Sequence, residues 1–173
     1  ELIKKRVYNE DGSASSAAQQ SAVRTLYYVL DGILKLYAPF TPHVTEELYS
    51  HIFADAYAAH GSLHARGQWP SAADYPLDAE ALTDGRHAVE LLDIIRKAKS
   101  ESNRSIKFPI ARLALFANTH AGEATLTRVM GDVGGAGNVL HYTVEKEKSA
   151  AMVPTPNEHF ALALTFAENA DAA

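Results

Sequence analysis

The hydrophobic period changes once along this chain, near residue 103, and that change limits the folds open to it. Upstream, apolar residues recur at helical spacing. Val23, Leu26, Leu30, Ile33 and Tyr37 are three or four positions apart, which places them on one face of a helix. Ala22, Val29 and Leu36 widen that face, so the helix is expected to pack on two sides within a bundle. A further helix is expected from about Asp78 to Ser100, with Ala88, Leu91, Leu92, Ile95 and Ala98 on one face. Downstream, "ARLALFA", "NVLHYTVE" and "HFALALTF" alternate at period two, the pattern of strands. Between the first two, "AGEATLTRVMGDV" reads as an amphipathic helix and "GGAGN" (134–138) as the turn after it. The expected architecture is mainly α: a helical bundle over 1–102, followed by a small α+β subdomain over 103–173. "AENADAA" is expected to be a frayed tail.

Within the bundle, "YAPFTPHVTEELY" (37–49) holds two prolines three positions apart. Pro39 supplies no N–H and biases Ala38 away from helical geometry, so the long helix is expected to end near Tyr37. Pro42 suits a first helical position, with Thr41 as its cap. The stretch reads as a stop, a tight corner and a restart, with Val44, Leu48 and Ile52 as the apolar stripe of the second helix. After Gly61, "SLHARGQWP" is expected to be a short extended segment, anchored to the bundle by Trp69.

Net charge is -5, which argues against a simple nucleic-acid binder, but the charge is unevenly placed. Residues 96–112 hold Arg96, Lys97, Lys99, Arg104, Lys107 and Arg112 against Glu101 alone, a local +5. Arg96, Lys97 and Lys99 could simply complement a helix C-terminus. Arg104, Lys107 and Arg112 lie beyond that helix, and such a concentration suits phosphate neutralisation. Lys4, Lys5 and Arg6 form a second cluster.

Other chemistry is poorly provided for. There is no cysteine, which excludes disulfides and thiolate metal sites and is compatible with a reducing cytoplasm. His60 and His64 are separated by Gly61 and Ser62, so a helical metal pair is not expected, nor is any metal site. Glu46 and Glu47 point about 100° apart on a helix and cannot converge on one substrate. "GDVGGAG" (131–137) precedes a strand pattern rather than a helix, which does not suit a phosphate cradle. No apolar run approaches a membrane span. The amino end, "ELIKKRVYNE", has no signal-peptide layout or initiator methionine and reads as the last turns of a helix already under way. The chain is expected to be a stretch of a longer protein.

Four stretches resemble one family. "APFTPHVTEELY" is similar to a segment of the anticodon-binding helical domain of class I aminoacyl-tRNA synthetases of the valyl, isoleucyl and leucyl group. "SLHARGQWP" resembles the segment that follows it there, "ELIKKRVY" the end of the preceding helix, and "IIRKAKSE" a helix of the valyl members. The resemblance covers most of 1–105. It implies a parent that joins valine to its tRNA using ATP, with catalytic and editing domains in the same chain and a cytoplasmic location. The family's two ATP-binding signatures do not occur here, so this portion is expected to hold no cofactor and perform no catalysis. It would grip the anticodon arm of tRNA. The expected backbone contacts are Lys5, Arg6, Arg96, Lys97 and Lys99, with Asn103 and Arg104 next; Tyr27 and Tyr28 are candidates for base stacking. The same domain of an isoleucyl enzyme, or a helical protein-interaction adaptor, is the alternative. On this reading, charge reversal at Lys97 and Lys99 together weakens tRNA binding by the whole enzyme and leaves valine activation almost intact.

Overall fold

The computed structural model describes residues 1–167 except 13, 67 and 68, so the expected tail lies, apart from Ala167, outside the described residues. The helices are α1 Lys4–Tyr8, α2 Ser16–Tyr37, α3 Pro42–Ile52, α4 Ala54–His60, α5 Leu63–Arg66, α6 Ala79–Glu101 and α7 His120–Ala136. The strands are β1 Ile110–Ala117, β2 Val139–Val144, β3 Val153–Pro154 and β4 Phe160–Phe166. A helical bundle with a small α+β portion is thus the observed class. The chain divides into two compact units: Ser15–Leu77, and Glu1–Ala14 together with the chain from Asp78 onward. The division expected at 102/103 is not where the contacts part. The period switch marks a change of secondary structure, whereas α6 buries its apolar face with the strands that follow it.

In the Ser15–Leu77 unit, the Ser15 hydroxyl accepts the Ala18 N–H at 3.2 Å and opens α2. α2 ends at Tyr37 as expected, but Ala38 keeps helical angles (φ -50, ψ -41) despite Pro39. Its N–H still reaches the Leu34 carbonyl, and the N–H groups of Phe40 and Thr41 both turn back to the Tyr37 carbonyl at 2.9 Å. These bonds hold the corner tightly enough to override the pre-proline bias. α3 restarts at Pro42 with Thr41 at the capping position. Tyr49 stacks on Phe53, ring centroids 5.1 Å apart, and both join Leu34, Ala38 and Leu63 in one core.

Two expectations change here. α2 packs through Leu34 and Ala38, with Leu30 packed against the same core, while Val23, Leu26, Ile33 and Tyr37 are 44–57% exposed. On α3, Val44, Leu48 and Ile52 are also exposed, and Thr45 and Tyr49 are buried instead. The "SLHARGQWP" stretch begins as the short helix α5 rather than as an extended segment, while residues 67 and 68 lie outside the described residues. A Glu46 carboxylate oxygen accepts the Leu63 N–H at 3.3 Å and fixes the start of α5. Trp69 is 62% exposed and does not anchor the segment.

In the other unit, the sheet order is β2-β1-β4-β3. β1 and β2 are parallel and joined through α7; β4 runs antiparallel to β1 and to the short β3. β3 had no period-two signal because two residues are too few to show one, and Pro154 suits its edge position. One core gathers Ala88, Leu91 and Ile95 of α6, Ile110, Leu113 and Leu115 of β1, Leu126, Met130 and Val133 of α7, and Phe160 and Leu162 of β4.

Asp78 caps α6 by accepting the N–H groups of Glu80 and Ala81. α7 runs to Ala136, so Gly134 and Gly135 are helical and not a turn. A Cβ at Gly135 would stand 3.0 Å from Lys5 Cβ, and one at Gly137 would stand 3.0 Å from the Val133 carbonyl oxygen and 3.3 Å from Ile95. Those glycines permit close approach by α1 and α6.

α6 and α7 are also tied by charge. Asp84 accepts from Arg128 Nε at 2.5 Å, from its Nη2 at 3.0 Å, and from Thr125 Oγ1 at 2.8 Å. The Arg128 hydrogen bonds hold the Asp84 carboxyl below the usual aspartate range. A depressed folded-state value means that this stabilisation is complete above the unfolded pKa of about 4 and is lost as pH falls through the folded value. Urea midpoints of the wild type should therefore drop between pH 5 and 3 more steeply than those of Asp84→Asn. Tyr49→Ala should cost about 3–5 kcal/mol in urea unfolding, as expected for truncating a buried aromatic.

Candidate nucleic-acid interface

The basic segment begins at the end of α6, where the chain must leave a helix without stranding its last carbonyls. Ser102 follows the helix and Asn103 takes a left-handed conformation, φ 51. The Asn103 N–H reaches the Ser100 carbonyl at 3.0 Å, and the Arg104 N–H reaches that of Lys99 at 2.8 Å. This pair of bonds is a Schellman ending, with asparagine in the place most often held by glycine. Asn103 thus has a structural role that its position after a basic helix end could have disclosed.

Lys99 is the largest departure from expectation. It is 1% exposed, and its ammonium donates to the carbonyls of Ile106 at 2.8 Å and Gly137 at 2.7 Å. Burial, reinforced by the neighbouring Arg96 charge, holds its pKa below the ordinary lysine value. Lys99 joins the end of α6 to the 105–107 loop and to the end of α7. It is not available to a phosphate; a tally of cations does not disclose this, whereas the position of Lys99 four residues after Ile95, on the apolar face of α6, is the signal that could have done so.

Arg6 is similarly committed. Its guanidinium grips Asp132 through Nε at 2.7 Å and Nη2 at 2.8 Å, fastening α1 to α7. Lys5 lies 3.1 Å from Asp11, with about half of both side chains exposed, a pairing that water screens. Arg96 is half-buried, and its Nε has no hydrogen-bond partner among the described residues. Lys97 is exposed and 3.9 Å from Glu101. Arg104 is exposed, with its guanidinium 4.3 Å from the Phe108 ring centroid.

Lys97 and Arg112, with Glu101, Ile94 and Leu164, also line a groove of about 570 Å³ beside the last turns of α6. The helix end therefore presents Arg96, Lys97, Asn103, Arg104 and Lys107 in one stretch, while Lys5 and Arg6 belong to α1. In the Ser15–Leu77 unit, Tyr27 packs on Phe53 at 4.3 Å. Tyr28 is 60% exposed and meets Tyr75 edge-on at 6.1 Å.

A cationic helix end on a bundle is open to many partners. The family described as the anticodon-binding domain of tRNA ligase matches residues 1–114. The chain belongs to that family. The match takes in α1 to α6 and the first half of β1, and so crosses both structural units. Among similar proteins, the valine–tRNA ligase of Orientia tsutsugamushi (strain Boryong) is 40% identical over 113 residues, 65% of this chain and 13% of that protein. The valine–tRNA ligase of Rickettsia felis is 42% identical over 115 residues, 65% of this chain and 12% of that protein. That of Wolbachia sp. subsp. Brugia malayi is 38% identical over 118 residues, 68% and 13%. The chain thus spans about an eighth of the length of the curated relatives it matches.

Lys97→Met and Lys99→Met should separate exposed from structural charge. Loss of the Lys99 ammonium leaves two carbonyls short of a donor and should cost about 1–3 kcal/mol or more, whereas Lys97→Met should stay within about 0.5 kcal/mol of wild type by urea unfolding. Charge reversal at Lys97 and Lys99 together is consequently a test of folding as much as of RNA contact.

Proposed function

We propose that this chain holds the anticodon arm of a tRNA, as part of a valine–tRNA ligase that as a whole attaches valine to tRNA(Val) using ATP. The match of residues 1–114 to an anticodon-binding family carries this reading, and relatives named valine–tRNA ligases favour valine over isoleucine. In such a parent, ATP and the reacting groups belong to catalytic and editing regions outside these residues, in the cytoplasm. This stretch contributes binding and orientation.

Arg96, Lys97 and Arg104, with Asn103 and Lys107, are the proposed backbone contacts at the end of α6, and Lys5 is a further one on α1. Cations there would neutralise phosphates and set the register of the arm. Unstacked bases would be read separately, by stacking and by hydrogen bonds to their edges; of the two rings expected to stack, Tyr28 is the more exposed. Arg6 and Lys99 act by holding these elements in place.

One observation favours a second reading, a protein-interaction adaptor: the exposed apolar residues of α2 and α3. Salt dependence separates the two. Binding of tRNA(Val) by the full-length enzyme should weaken steeply with added salt. In Lys97→Gln with Lys107→Gln, the slope of log K against log salt should become shallower by roughly 1.5 for two lost phosphate contacts, with valine-dependent pyrophosphate exchange unchanged. Binding indifferent to salt, or an unchanged slope, would count against RNA contact at this helix end.

A further inference from the structure

The first half of α2 forms one wall of a cleft that the basic helix end does not share. Gln20, Arg24 and Tyr28 follow one another at spacing four, a row of side chains about 5–6 Å apart along the helix. Tyr75 stands beside them, its ring edge-on to Tyr28 at 6.1 Å. With Thr25 and Asp74 they line a cleft of about 680 Å³, within the range of about 300–1,000 Å³ usual for small-ligand sites. All of its lining belongs to the Ser15–Leu77 unit.

The Tyr75 wall is built in. Position 32 is glycine, and a Cβ there would stand 2.5 Å from the Tyr75 hydroxyl oxygen and 2.9 Å from the ring carbon that bears it. Only without a side chain at that position can Tyr75 lie so close to α2. The turn that delivers Tyr75 is fixed by a capping box: the Ser71 N–H donates to Asp74 Oδ2 at 2.8 Å, and the Ala73 N–H donates to Ser71 Oγ at 3.2 Å. By contrast, Gln20 and Arg24 have no hydrogen-bond or ion-pair partner among the described residues.

The lining selects an occupant by its chemistry. The rings offer a planar molecule a face to stack on. The Gln20 amide both donates and accepts, Asp74 accepts, and Arg24 is a cation without a counter-ion. An aliphatic side chain placed here would cover those polar groups without pairing them. A flat ring with donors and acceptors on its edge, joined to an anion, meets every demand, and that is a nucleotide.

We propose that this cleft takes one unstacked base of the bound RNA, its face on the Tyr28 ring, its edge toward Gln20 and Asp74, and an adjoining phosphate at Arg24. The inference rests on reading the chain as an anticodon-arm binder, and it assigns the side chains that read a base. Gly32 is a positioning residue, since it acts only through Tyr75. Base reading then falls to α2, and phosphate contact mainly to the end of α6.

Transcripts of tRNA(Val), each lacking one base of the anticodon loop, would be titrated against the full-length enzyme and its Tyr28→Ala variant. With the wild type, one abasic position should weaken binding about tenfold or more, as for the loss of a stacked base. Tyr28→Ala should weaken binding of intact tRNA by a similar factor. In that variant the same abasic position should then cost less than about twofold, because ring and base report one contact. Tyr28→Phe keeps the stacking face and should behave as wild type, which separates a lost contact from a disturbed fold. Arg24→Gln should make the slope of log K against log salt shallower by about 0.7, the value for one phosphate of a single strand. Penalties for Tyr28→Ala and for the missing base that multiply at every loop position overturn the proposal. So does Tyr28→Ala that binds intact tRNA as wild type does. Neither result alters the salt dependence at Lys97 and Lys107, so failure of this site is distinguishable from failure of RNA binding itself.

Discussion

The burial of one face of α6 organises the larger unit. Leu91 and Ile95 are wholly buried, and they enter the same core as β1, α7 and β4. Everything at the cationic helix end depends on that placement. Once Ile95 is pinned, Lys99 one turn later points inward, and its ammonium must find acceptors or lose its hydration without return. The carbonyls of Ile106 and Gly137 meet this demand. The same contact holds the loop that carries Arg104 and Lys107. A buried cation thus positions exposed ones.

This arrangement divides the basic residues by role. Arg6 is fastened to Asp132 and Lys99 to two carbonyls, so each acts as an internal tie. Lys97 and Arg104 stay in solvent, where partners compete only weakly with water. A tally of cations along 96–112 cannot make this distinction, since every lysine adds the same charge. What separates Lys97 from Lys99 is two positions on a helix, a rotation of about 200°, which carries one toward water and the other into the core.

The glycine-rich end of α7 follows similar logic. Read alone, "GGAGN" looks like a turn. The helix nevertheless runs through Gly134 and Gly135, because α1 crosses close to Gly135 and Ile95 presses on Gly137. Packing across the helix outweighs the modest penalty of glycine within it. Ala38 is a parallel case, kept helical before Pro39 by hydrogen bonds around the corner.

The sequence by itself determined the long helices and the longer strands, with most of their ends. The Asp78 cap, the Pro42 restart, the stop near Tyr37, the apolar face of α6 and three of four strands all follow from spacing and backbone chemistry within a few residues. The family resemblance was likewise carried by short local stretches. Tertiary structure decided which faces meet. It assigned α6 to the sheet, chose Leu34 and Ala38 over Val23 and Ile33 as the packing face of α2, and buried Lys99. Those choices rest on contacts between residues tens of positions apart, and a local apolar period states only that a face exists, never what covers it.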